Sequence, residues 1–340
     1  MTMNSGKHSG KSAGTIPWSA LLLRHETILL LVLFVEVALF QALGRRFLTA
    51  DNVANIARQS VEVGLLALVM TPIILTGGID LSLASLIGLC AVAFGIFWSD
   101  FGLPPWAASI GAICVGVLGG GLNAVLITRL ALPPLIVTLG TFSLFRGLAE
   151  AVTGGTRAFT GLPDSFLFLG NGFALGLPVQ VWLFLLAAFV MWLLVHCTTI
   201  GRTFRAIGFS PEGACYAGLP VLRRLTLAYT SAGGIAGVAS VIFVSRVTEA
   251  RANAGMGYEL AAITAVVLGG TSIFGGRGSI HGTLLGVATV AVLGNGLSRI
   301  LSITAVSREL SGMLTGALLI GALAAAALTN VLAAKRMQAP

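Results

Sequence analysis

The chain has 340 residues, 56% of them hydrophobic and only 9% charged, with a mean hydropathy of +0.97. A soluble domain is nearer a quarter charged, so this composition excludes most soluble-enzyme readings. The net charge of +8 would suggest nucleic acid in a soluble protein. Here the basic residues are scattered between apolar segments and suit anionic lipid headgroups, so membrane lipids are expected partners and nucleic acid is not.

A bilayer core about 30 Å thick is crossed by about 20 helical residues. Residues 1–25 form a polar tail, Gly/Ser-rich at its start and expected to be disordered. The apolar stretch after it has no A-x-A-like cleavage site and reads as an uncleaved first span. Ten candidate spans follow in order: 26–44, 54–76, 80–98, 106–128, 134–152, 179–197, 225–245, 259–274, 279–298 and 309–333. The predicted fold is all-α, a polytopic membrane protein of about ten transmembrane helices within a domain over 26–333, with some segments broken or re-entrant. The eighth span is short, and glycine pairs interrupt several others. Residues 154–178 read as an irregular external loop, 198–224 as the longest basic loop, and 334–340 as a basic tail. Placing both termini in the cytoplasm puts eleven of the twenty Lys and Arg residues inside, four of them clustered at 202–224.

The chemistry-bearing residues are few. In GGIDLS (77–82), the glycine pair can end one helix and Asp80 can cap the next. A capping role is favoured, with solute contact or gating as the alternative, because a carboxylate at membrane depth is costly. LGGTSIFGGRGSIHG (268–282) fits no phosphate-binding pattern and reads as a tight inner turn, with Arg277 facing headgroups or a partner. The stretch 264–286 echoes 71–89, each running from an apolar strip through a glycine pair into a new apolar strip. The N-terminal GKHSGKS is one residue short of a P-loop, so no nucleotide site is expected on this chain. The four cysteines (Cys90, Cys114, Cys197, Cys215) form no CxxC and the histidines no HExxH, so neither a metal site nor a catalytic residue is expected. Glu36, Glu62, Arg146, Asn123 and Asn295 lie within spans and are expected to bond between helices. Together with Asp80, the residues Ser82, Asn123, Thr141, Thr271 and Asn295 are candidates for the translocation path or its gating.

The loop 198–224 carries the clearest local signal. Ser210 can cap a short helix with Pro211 at its first position and Glu212 in its first turn, and Gly218 and Pro220 would stop it. This projects a two-turn helix between basic flanks, either an ordinary loop or a docking element for a cytoplasmic partner. Its candidate contact residues are Ser210, Pro211, Glu212, Gly213, Ala214, Tyr216 and Gly218.

Four stretches occur in an order that resembles one family: TGGIDLSLASLIGL, PPLIVTLGTFSLFRGLAE, GRTFRAIGFSPEGACYAGLPV and AITAVVLGGTSIFGGRGSIHGTLLGV. Over about residues 28–325 the chain resembles the membrane-spanning permeases of bacterial ABC importers of the ribose type, which serve ribose, xylose, arabinose, galactose, rhamnose and autoinducer-2. The resemblance implies an inner-membrane permease without covalent chemistry or bound cofactor. It implies a second permease copy or a sibling permease, an ABC ATPase using ATP and Mg on separate chains, and a periplasmic sugar-binding protein. The loop 210–218 would be the coupling helix in the ATPase groove. The alternatives are a permease for another small solute, such as branched-chain amino acids, and a stand-alone ion-coupled transporter.

Overall fold

The computed structural model describes residues 25–43, 47–303 and 316. The tenth expected span and both tails lie outside the described residues, apart from Gly316 and His25. In chain order the helices are α1 (His25–Leu43), α2 (Ala50–Leu75), α3 (Leu83–Ser99), α4 (Pro105–Thr128), α5 (Pro134–Thr153) and α6 (Asp164–Asn171). A two-residue hairpin, β1 (Phe173–Ala174) with β2 (Leu177–Pro178), leads into α7 (Val179–Trp192). Then come α8 (Thr199–Phe209), α9 (Pro211–Tyr216), α10 (Val221–Val247), α11 (Tyr258–Leu268) and α12 (Ile280–Ile303). Among the described residues seven helices are long and apolar enough to cross a membrane, with α3 and α11 as shorter apolar helices. The all-α polytopic architecture therefore holds.

Local chemistry explains the boundaries. Pro105, Pro134 and Pro211 open α4, α5 and α9, where a missing N–H costs nothing. Gly154, at φ 59°, closes α5 in the left-handed region. Gly77, at φ 82°, ends α2, with Gly77 and Gly78 donating to the carbonyls of Ile74 and Ile73 at 2.9 and 3.1 Å. α7 runs on as a π-helical turn, Leu193–Cys197, whose Val195 carbonyl accepts from Arg205 at 3.1 Å.

Several expectations need correction. The third span begins at Leu83, because residues 79–82 are extended or turned around a buried Asp80. The eighth is an 11-residue helix, about 16 Å long and too short to cross. The stretch 154–178 is partly ordered as α6 and the hairpin. The basic loop is mostly helical, since α8 and α9 fill it and α10 already begins at Val221.

α2 and α10 form the centre of the bundle: 78% and 67% of their apolar windows are buried, against 11% for α1 and 17% for the α7 segment. Their outward neighbours present large apolar side chains such as Phe34, Leu118 and Leu186, as a lipid-facing surface does. Between lipid-solvated helices association rests on close packing, and α4 meets α10 through small residues. Gly116 and Gly120 face Gly233 and Gly237, a GxxxG pair on each helix. A Cβ built on Gly233 would lie 2.7 Å from the Cα of Gly120, so the backbones touch.

The ends of the bundle are internally consistent. Gly276 N donates to the Leu75 carbonyl at 2.9 Å, bringing the turn after α11 to the turn after α2, beside α8. At the opposite end Phe159 and Ala250 pair as an antiparallel bridge, and Arg157 bonds Asp100. From that opposite end the non-helical segment 249–257 folds back into the bundle. Ala250 and Ala254 are buried, and a Cβ on Gly88 in α3 would strike the Ala252 carbonyl. Irregular backbone at such depth is tolerated only inside protein or beside water.

Candidate functional site

At the end of the bundle that carries α8 and α9, the sequence folds as its caps dictate. The Ser210 hydroxyl accepts from Gly213 N at 3.0 Å, Pro211 sits at the first helical position, and Glu212 lies in the first turn. Gly218, at φ 73°, closes the turn, and Leu219 N returns to the Ala214 carbonyl at 3.0 Å. Ala214 is the buried anchor, whereas Pro211, Glu212, Gly213 and Gly218 are exposed and Tyr216 is 93% exposed. Phe209 and Phe274 are also exposed at this end. Beside α9, Cys215, Leu219 and Arg223 border a cleft of about 650 Å³ with Arg129. An apolar and aromatic surface outside the membrane-length helices is suited to bind protein.

Beneath this surface three backbones converge. A Cβ on Gly208, near the end of α8, would strike the Leu75 carbonyl and Gly276 N. One on Gly275 would lie 2.9 Å from both the Gly208 Cα and Gly77 N. Gly275 and Gly276 have φ of 86° and 76°, which glycine alone adopts without strain. The α8–α9 unit thus rests directly on both glycine-rich turns.

Asp80, Ser82 and Asn123 come together as one fully buried group. Ser82 N and Oγ donate to Asp80 Oδ1 at 2.9 and 2.6 Å, and Asn123 Nδ2 donates to Ser82 Oγ at 2.7 Å. Asp80 therefore does not cap α3, whose cap position is Ser82; it fixes the turn before it. Asp80 Oδ2 and the Tyr229 hydroxyl have no hydrogen-bond partner among the described residues. The other candidates do not join this group. Thr141 is buried and donates to the Val137 carbonyl within α5 at 3.0 Å. Thr271 is buried in the turn after α11, beside Gly278. Asn295 accepts from Asn52 Nδ2 at 3.0 Å, tying α12 to α2. Arg277 is exposed, and its carbonyl accepts from Ser272 N at 2.9 Å.

Two of the span residues expected to bond between helices do so, with partners the sequence did not name. Glu62, fully buried, pairs with Arg246 Nε at 2.7 Å, and Arg246 reaches Tyr258 at 3.4 Å. Arg246 lies one residue beyond the expected end of its span. In addition, Arg146 Nη1 donates to the Ala252 carbonyl and so holds the inward-folded segment. At the far end the Arg157 guanidinium beside Asp100 holds that carboxyl below its ordinary range.

The chain matches the family described as "Branched-chain amino acid transport system / permease component" over residues 52–323. Among curated relatives, the autoinducer 2 import system permease protein LsrD of Escherichia coli (strain K12) is 39% identical over 300 residues, 87% of this chain and 89% of that protein. LsrD of Shigella flexneri has the same identity and coverage. LsrD of Photorhabdus luminescens is 37% identical over the same shares of both chains.

Proposed function

The chain belongs to this family of transport permease components, and from that membership we propose that it forms the membrane path of an ATP-driven importer for a cyclic polyhydroxyl solute, a monosaccharide or an autoinducer-2-like compound. It is a multi-pass membrane permease and not an enzyme. The observation that carries the solute class is the 39% identity to an autoinducer 2 import permease across 87% of this chain. That near-full-length match favours a sugar-like solute over a branched-chain amino acid.

In this reading the chain binds no cofactor, and a separate ATPase subunit uses ATP and Mg. A second permease, identical or a sibling, completes the path, and a periplasmic binding protein delivers the solute. Both termini and α8–α9 face the cytoplasm. The exposed helix α9, with Tyr216 and Glu212 outward and Ala214 anchored, is the coupling element that sits on the ATPase. Its motion reaches the bundle through Gly208. Ligand and nucleotide then bias the permease between an outward-open and an inward-open state, which suffices for alternating access. Asp80, Ser82 and Asn123, with no exposed surface, shape the turn between α2 and α3 and so support the path from behind it.

The test is purification of the tagged full chain in mild detergent, followed by uptake of autoinducer 2 in vesicles. Co-purification of an ATPase subunit with ATP-dependent uptake supports the reading. A chain that purifies alone and moves solute without ATP overturns it in favour of an ion-coupled transporter.

A further inference from the structure

The helices α4 and α10 touch and then part. Gly120 and Gly233 are in backbone contact, and the two helices run in opposite directions. From that contact Arg129 lies nine residues onward, just past the end of α4, and Arg223 lies ten residues back, in the first turn of α10. At 1.5 Å per residue both stand about 14–15 Å from the crossing, so they share one level. Between them opens the cleft of about 650 Å³, with Cys215 of α9 and Leu219 in its wall.

The cleft is basic and apolar at once. No acidic residue lines it, and Glu212 of α9 lies outside it. Arg129 and Arg223 are both exposed and join no ion pair among the described residues. Leu219 and Leu222 supply apolar wall beside them. Along α4 the exposed side chains Leu118, Leu122 and Val125 form a stripe at helical spacing that ends at Arg129. Helix length places the cleft in depth. α4 and α10 have 24 and 27 residues, about 36 and 40 Å against a hydrocarbon core of about 30 Å, so their ends at Arg129 and Arg223 reach the headgroup layer.

We propose that this cleft binds an anionic phospholipid of the cytoplasmic leaflet, its phosphate between Arg129 and Arg223 and an acyl chain along Leu118, Leu122 and Val125, and that the lipid braces α9 for coupling. The brace and the choice of leaflet rest on the permease reading above, which puts α8–α9 in the cytoplasm. Guanidinium groups bond phosphate oxygens in a fixed fork, and basic pockets between membrane helices hold anionic headgroups in this way. An apolar stripe ending in two unpaired cations matches a molecule with a hydrocarbon tail and a charged head. Because Cys215 borders the same cleft, an occupant there touches α9 directly.

The test uses the purified full chain in mild detergent. With Cys90 replaced by alanine and Cys114 and Cys197 by serine, the exposed Cys215 reports on the cleft through its reaction with a water-soluble maleimide. Dioleoylphosphatidylglycerol is expected to slow this labelling at a concentration at least about tenfold below that of dioleoylphosphatidylcholine, since two basic side chains meet its net negative charge. In Arg129→Gln/Arg223→Gln that preference should fall to about twofold or less. Arg202→Gln/Arg277→Gln removes the same charge from the same end, outside the cleft, and should keep it. Equal action of the two lipids on the parent overturns the proposal. So does an equal loss in both double variants, which would assign the preference to diffuse charge. Protection by glycerol 1-phosphate as strong as by phosphatidylglycerol overturns the lipid in favour of a soluble phosphate. Slowing by an ATPase subunit and by neither lipid makes the cleft a protein contact and overturns it as well. In the assembled importer, vesicles of phosphatidylcholine should take up solute at least about threefold faster once phosphatidylglycerol is included, and Arg129→Gln/Arg223→Gln should lose that difference. Uptake indifferent to phosphatidylglycerol overturns the brace. Failure to find an ATPase partner would count against the permease reading alone, because the labelling needs only this chain.

Discussion

Glu62 has no exposed surface, and Arg246 beside it is only 18% exposed, so each charge depends on the other. Removing one partner strands a buried charge. Arg246→Ala is therefore expected to destabilise the protein by about 3–5 kcal/mol. The double variant Glu62→Gln/Arg246→Met removes both charges and should recover much of that loss. Thermal unfolding in detergent measures both, and equal losses in the single and double variants would show that the pair is not the cause. The partner of Glu62 could not be read from sequence, because a basic residue at a span boundary looks the same whether it points to headgroups or back into the bundle. Asp80 shows the converse. Its burial cost was legible, but the local capping rule pointed to the wrong role, since the carboxylate holds Ser82 rather than the first turn of α3.

At the scale of single elements, α9 was the most legible part of the chain. Its cap, its opening proline and its closing glycine are all local chemistry, and local chemistry survives in sequence. Gly213→Pro removes the N–H that Ser210 accepts and should cost about 1 kcal/mol of helix stability. Glu212→Lys reverses an exposed charge without touching the fold. Under the coupling reading both should lower ATP-driven uptake at least about tenfold, as loss of a central interface residue does, while the folded yield stays near that of the parent. Uptake at the parental rate in both would remove α9 from the coupling role. The segment 249–257 was the least legible element. Its sequence, EARANAGMG, has the polarity of a surface loop, and composition does not record depth. Its burial comes from Gly88 in α3 and Arg146 in α5, each far away along the chain.

For the molecule as a whole, length and apolarity made the membrane architecture legible, because crossing a bilayer is a nearly local requirement. The way the helices pair was not, because GxxxG faces on α4 and α10 become partners only in three dimensions. At the end opposite α9, Asp100 and Arg157 tie the α3–α4 turn to the stretch after α5, with bonds of 2.5 and 3.0 Å. The Asp100 carboxyl is held below its ordinary value of 3.8, so the pair stabilises the fold above that value and is lost as pH falls through the lower, folded one. Hydrogen exchange of 154–160, compared with Asp100→Asn at each pH, should show a protection difference at neutral pH that vanishes only once the pH has fallen below the ordinary carboxyl value of 3.8. A difference that persists there, or none at neutral pH, would count against the tie.

The meeting of Gly208, Gly275 and Gly77 has a mechanical consequence. Side chains between two elements act as cushions: they change rotamer and absorb small displacements. Where Gly208, Gly275 and Gly77 meet the contacts are main chain against main chain, with one 2.9 Å hydrogen bond beside them, from Gly276 to Leu75. A thrust arriving along α8 has no slack to take up before it reaches both turns. The junction behaves as a stiff linkage, and even one added methyl group at Gly208 would throw it out of alignment.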